Sequence, residues 1–131
     1  MSRIARAAAL FVLAASPAAD PAHAAGDAAR GQRVYQKCFA CHSLVPGERN
    51  LQGPSFVHLW GRRAGTLADF VYSEGFRAAL TGRDVRWDAA TLDAFLADPQ
   101  RTVPGIAMGF FGIKDAAERA DLIAYLKDAA R

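Results

Sequence analysis

The residues most able to do chemistry are Cys38-Phe39-Ala40-Cys41-His42. Two thiols three positions apart near a helix end can reach the two vinyl groups of one porphyrin. The next residue then offers an imidazole where the iron needs an axial nitrogen, so C-x-x-C-H reads as a c-type haem attachment string. Other readings of the same residues stay open. A bare C-x-x-C can be a thiol–disulfide pair, but that chemistry expects a βαβ context which this sequence lacks. It can be half a zinc site, though no second cysteine pair exists and the other histidine outside the N-terminal segment is His58. It can also be a structural disulfide.

Haem iron needs a sixth ligand. Beyond the N-terminal segment the chain has one methionine, Met108, in Val103-Pro104-Gly105-Ile106-Ala107-Met108. A lone methionine is usually core filler, but this one follows a Pro-Gly turn on a loop. A thioether is a soft neutral ligand, and His/Met ligation raises the potential of haem iron. His58 is the rival ligand. It follows His42 by only 16 residues, which makes the opposite ring face harder to reach, so Met108 is preferred.

These residues belong to a chain of 131 residues, with 52 % hydrophobic and 22 % charged side chains. That is one domain's worth of sequence, neither a disordered tail nor a membrane bundle. Two cysteines exclude a disulfide-dense mini-protein. Residues 1–24 read as a cleaved export signal: Arg3 and Arg6, an apolar run with Leu10, Phe11, Val12 and Leu13, and Ala22-His23-Ala24 as a small-x-small cleavage site. The run is too short to span a bilayer, where about 20 residues are needed. Cleavage there leaves residues 25–131 with a net charge of +2 and three lysines, Lys37, Lys114 and Lys127. The basic balance of the whole chain therefore does not argue for nucleic acid.

The elements that must position the motif read as helices. Asp27 caps a helix running to about Lys37, with Gly31 inside it at a propensity cost of about 1 kcal/mol. A close helix crossing would explain that glycine. Residues 43–68 are Gly/Pro-rich loop. A short helix is predicted over 73–80, ended by Gly82. Asp88 caps a third helix with Leu92, Phe95 and Leu96 on one face, ended by Pro99. A second loop spans 101–112. Asp115 and Glu118 form a capping box for a last helix with Leu122, Ile123 and Leu126 inward and Tyr125 beside them. The fold class is all-α. Loops this long in so small a domain imply something that orders them.

With the motif and both loops in place, residues 25–131 resemble class I cytochromes c, of the mitochondrial and bacterial cytochrome c2 type. Gly26-Asp27 through Tyr35-Gln36-Lys37-Cys38 looks like the family's N-terminal helix, and Glu118 to Lys127 like its C-terminal helix, with Gly31 crossing against Tyr125. The resemblance implies that the Pro54 carbonyl in Leu51-Gln52-Gly53-Pro54-Ser55-Phe56 accepts a hydrogen bond from the ligand imidazole. It implies that Tyr72 and Trp87 hydrogen-bond a buried haem propionate, with Arg62 of Gly61-Arg62-Arg63-Ala64-Gly65 nearby. Such donors suit a buried charge.

Four departures stand out. Phe95 replaces a tyrosine common near the methionine sulfur and Ile106 a usual threonine, which implies a drier Met108 side. Gln100 and Ala107 stand where relatives often carry lysine, thinning the basic ring that steers acidic partners. Arg63, Arg101 and Lys37 keep a small local patch. The resemblance therefore implies a small all-α domain around one covalent haem c, held by Cys38 and Cys41 with His42 and Met108 on the iron. Phe56, Leu59, Phe95, Leu96 and Phe110 would form its apolar shell. It implies a monomeric periplasmic electron carrier rather than an enzyme, without stable membrane insertion. Its partners would be redox proteins, a bc1-type complex as donor and an oxidase, peroxidase or photosynthetic reaction centre as acceptor.

Overall fold

The computed structural model describes residues 25–48 and 51–131. The predicted export signal, residues 1–24, lies outside them. The described residues form five α-helices and no strand, with one isolated bridge between Arg63 and Arg86.

The first helix, α1 (Ala28–Val34), starts at Asp27, whose carboxylate accepts the Arg30 N–H at 2.7 Å. A 3-10 turn (Tyr35–Lys37) continues it and hands the chain to Cys38. The last helix, α5 (Ala116–Ala129), crosses α1 with no room for a side chain at the crossing. A Cβ on Gly31 would lie 1.9 Å from the Asp121 carbonyl oxygen and 2.7 Å from Tyr125 Cβ. The helix-breaking cost of glycine is thus offset by close approach, as the sequence implies. Asp121 bolts the crossing. Its buried carboxylate accepts the Asp27 N–H at 2.7 Å and the Arg30 Nε–H at 2.7 Å.

α5 shows one departure from expectation. Asp115 caps it, accepting the N–H groups of Ala117 and Glu118. The reciprocal half of the predicted capping box is absent, because Glu118 pairs instead with Lys37 across the crossing. Leu122 and Leu126 are fully buried in the main apolar cluster with Val34, Tyr35, Leu59, Leu92, Leu96 and Ile113.

Ser73 caps α2 (Glu74–Leu80), and Gly82 at a φ of 71° turns the chain after it. Asp88 caps α3 (Ala89–Ala97). α3 packs on α5, joined by the Arg119–Asp93 pair at 2.7 Å. Pro99 ends α3 as expected but also begins a further turn, α4 (Pro99–Thr102), capped by Asp98. Proline's fixed φ and missing N–H suit a first helical position. Residues 101 and 102, expected in the loop, therefore belong to a helix. A second apolar cluster gathers Ala64, Phe76 and Val103, with Tyr72, Phe95 and Ile106 against it; Trp87 touches both clusters.

Candidate functional site

Residues 38–42 form a single helical turn, with the Cys41 and His42 N–H groups both donating to the Cys38 carbonyl at 3.0 Å. This puts both thiols and the imidazole at the end of the α1 segment. The loop 53–56 is laced alongside: the Gly53 N–H donates to the Cys41 carbonyl and the Phe56 N–H to the Ser43 carbonyl, each at 2.8 Å. Three contacts then fix the imidazole. His42 Nδ1 lies 2.8 Å from the Pro54 carbonyl, which makes Nδ1 the protonated nitrogen and leaves Nε2 with a free lone pair. Phe56 stacks on the ring, with centroids 4.3 Å apart and planes 17° from parallel. Gly53 meets it with bare backbone, since a Cβ there would come within 2.2 Å of Cε1. The Tyr35 hydroxyl donates to the His42 carbonyl and fixes the peptide itself.

The electrostatics favour ligation over redox thiol chemistry. Burial lowers the His42 pKa, with the Pro54 hydrogen bond opposing, so the neutral, metal-binding imidazole dominates at neutral pH. Burial pushes the Cys38 thiol up to about 11. Reactive redox cysteines show the reverse, a depressed pKa. Cys38 and Cys41 are not joined as a disulfide. Among the described residues no three His, Cys, Asp or Glu side chains converge as a metal site, so the zinc reading finds no second half. His58 is not near such a role. It is exposed and in the left-handed region at a φ of 56°, and its Nδ1 meets the Arg131 carbonyl at 2.8 Å.

Of the other predicted residues, Arg62 lies against the loop that follows Pro54. The Arg62 guanidinium donates to the Val57 carbonyl at 3.0 Å and the Ser55 carbonyl at 2.9 Å. Its Nε is buried with no hydrogen-bond partner. Burial lowers its pKa, and the Tyr72 phenol opposes the shift, which places the two side chains within electrostatic reach. The Trp87 backbone N–H donates to the Arg62 carbonyl at 3.0 Å. Tyr72 stacks on Phe76, and its hydroxyl accepts the Leu67 N–H at 3.4 Å. A half-buried cation with an orphaned donor is costly unless an anion meets it. A haem propionate fits that demand, and Gly53 leaves the ligand ring uncrowded, so the residues present fit a haem.

Met108 lies on the second loop, half-buried, after a turn closed by the Ile106 N–H to the Val103 carbonyl at 3.1 Å. Bare backbone at Gly75 abuts this turn; a Cβ there would meet the Gly105 carbonyl oxygen at 2.4 Å. Of the expected apolar shell, Leu59 and Leu96 are buried in the main cluster with Phe56 and Phe110 against it. Phe95 packs edge-on against Trp87 at 5.2 Å, in the second cluster with Ile106. Gly53 and the Tyr35 hydroxyl act here in roles that their residue types alone do not announce. Gly53 has one signal in the sequence, its place directly before Pro54.

Comparison with known proteins points to one family. The family model described as cytochrome c matches residues 28–130. Cytochrome c2 of Blastochloris viridis is 43 % identical over 118 residues, covering 90 % of this chain and 87 % of that protein. Cytochrome c of Chlamydomonas reinhardtii is 44 % identical over 106 residues, covering 80 % and 91 %. The solved structure of cytochrome cH from Methylobacterium extorquens superposes with a TM-score of 0.68 at 40 % identity, covering 78 % of this chain and 98 % of that one.

Proposed function

The chain belongs to the cytochrome c family, electron carriers on covalent haem c and not enzymes, and from that premise we propose a periplasmic one-electron shuttle with His42 and Met108 as the iron ligands. The observation that carries the proposal is the held imidazole: Nδ1 committed to Pro54, the ring stacked on Phe56, and two thiols one helical turn away. Haem supplies an iron that accepts and releases one electron. Cys38 and Cys41 would hold it by thioether bonds, with His42 Nε2 and the Met108 sulfur as the iron ligands. Arg62, with Tyr72 and Trp87, would neutralise a propionate. The chain's own task is to keep both ligands fixed, so that little reorganises when charge moves.

The pattern of residues 1–24 and the similarity to bacterial cytochrome c2 support export, with 25–131 as the working domain. No helix among the described residues is long and apolar enough to cross a membrane. A bc1-type complex suits the role of donor, and an oxidase, peroxidase or reaction centre that of acceptor.

The test is an optical spectrum of the holoprotein, oxidised and reduced. A low-spin c-type spectrum with a ferric sulfur-to-iron charge-transfer band that vanishes in Met108→Ala is the expected result. A high-spin spectrum in the unmodified protein would overturn the ligand pair. An intact mass equal to residues 25–131 plus one haem checks export processing on the same sample.

A further inference from the structure

We propose that Gln100 is the positioning residue that holds the methionine loop closed, an inference that rests on Met108 as iron ligand. The loop is otherwise weakly held where it matters. Its stem is closed by the Val103 N–H to the Pro99 carbonyl at 2.8 Å, and its turn by the Ile106 N–H to Val103. From there until the Ile113 N–H meets the Leu96 carbonyl, the described backbone makes no backbone–backbone hydrogen bond. Ala107, Gly109 and Phe111 in that stretch are exposed.

Gln100, on α4, reaches across this gap. Its Nε2 donates to the Met108 carbonyl at 3.1 Å and the Ile106 carbonyl at 3.4 Å. A side-chain amide carries two N–H donors, one for each carbonyl. Gln100 is half-buried, and its amide is the polar tie on the Met108 peptide. With phenylalanine at 95 and isoleucine at 106, neither side chain has a hydroxyl with which to bond this loop. Gln100 restrains it through the backbone instead.

The consequence is thermodynamic. An added ligand such as imidazole binds the iron only in the fraction of molecules whose methionine has left, so its apparent affinity measures that fraction. Loss of the tie enlarges the fraction. The experiment is imidazole titration of the ferric holoprotein, followed by loss of the sulfur-to-iron band, in the native protein, Gln100→Leu and Gln100→Lys. Leucine removes both donors, and an ammonium restores donation. Imidazole should bind Gln100→Leu about three- to tenfold more tightly than the native protein. Gln100→Lys should return to within about twofold of native. A Gln100→Leu affinity within about twofold of native overturns the proposal. So does equal tightening in both variants, because the effect would then be volume or surface change rather than hydrogen bonding. The native spectrum is read first: without the sulfur-to-iron band, Met108 is not the ligand and the brace falls with that assignment. Denaturant unfolding of the same samples separates loop opening from general loss of stability.

Discussion

At the scale of single residues, the site depends as much on what is missing as on what is present. Gly53 brings backbone against the His42 ring at a distance no Cβ tolerates. Alanine there must displace the imidazole, break the Gly53–Cys41 hydrogen bond, or both. Disturbing the groups that orient a metal ligand costs about 10–100-fold in metal affinity or activity. Gly53→Ala should therefore show less haem per chain and a high-spin fraction, read from the haem-to-protein absorbance ratio and electron paramagnetic resonance. Full loading with an unchanged low-spin spectrum would count against this account of the ring. Arg62 makes the complementary point. Its buried Nε has no partner within the described chain and so calls for an acceptor such as a haem propionate, a demand that the residue type alone does not disclose.

At the scale of elements, the α1–α5 crossing and the helix caps carry the stability. A methyl on Gly31 would run into the backbone of Asp121, which is not the flexible end of a side chain. Gly31→Ala should destabilise by about 1–3 kcal/mol through overpacking, despite alanine's better helix propensity, as measured by guanidinium unfolding of the holoprotein. A gain in stability would mean that the helices separate at little cost.

The caps give a pH signature. Hydrogen bonds from Thr91 hold the Asp88 carboxyl below its ordinary range. A depressed folded-state pKa adds stability that is fully present above the unfolded value of 3.8. That stability is lost as pH falls through the lower folded value. Asp88→Asn, which cannot titrate but can still cap, should flatten the acid limb of the stability curve below pH ~4 while changing little at neutral pH. An unchanged acid limb would show that the cap is not linked to protonation.

At the scale of the molecule, charge governs how it meets its partners. In the proposed processed form, residues 25–131 carry a net +2, and two propionates would bring it near zero. Of the small basic patch expected for docking, Arg63, Arg101 and Lys37, the structure pairs Lys37 with Glu118 and Arg63 with Asp84, which weakens it further. Weak net charge means little long-range steering. The bimolecular electron-transfer rate with an acidic redox protein should change by less than about threefold between about 20 and 200 mM salt. A tenfold fall would reveal a concentrated basic face hidden in the totals.

Much of this is legible in the order of residues alone. C-x-x-C-H is a local string whose chemistry follows from spacing. Asp27, Asp88 and Asp115 announce helix starts because a capping bond spans only two or three residues. Gly31 points to a close crossing, one of two readings of a helix-interior glycine, and the structure selects it. What tertiary structure alone decides involves partners far apart in sequence or alternatives equal in local terms. Asp121 meets Arg30 across 91 positions. Glu118 could close its own cap or reach Lys37, and only the crossing of α1 and α5 brings Lys37 near enough to win. Gln100 reads as a lost lysine along the chain. Folded, its amide lies against two carbonyls that no backbone N–H reaches. Local hydrogen bonds and side-chain periodicity are written in neighbouring residues, whereas a buried donor's partner exists only once the chain has closed around it.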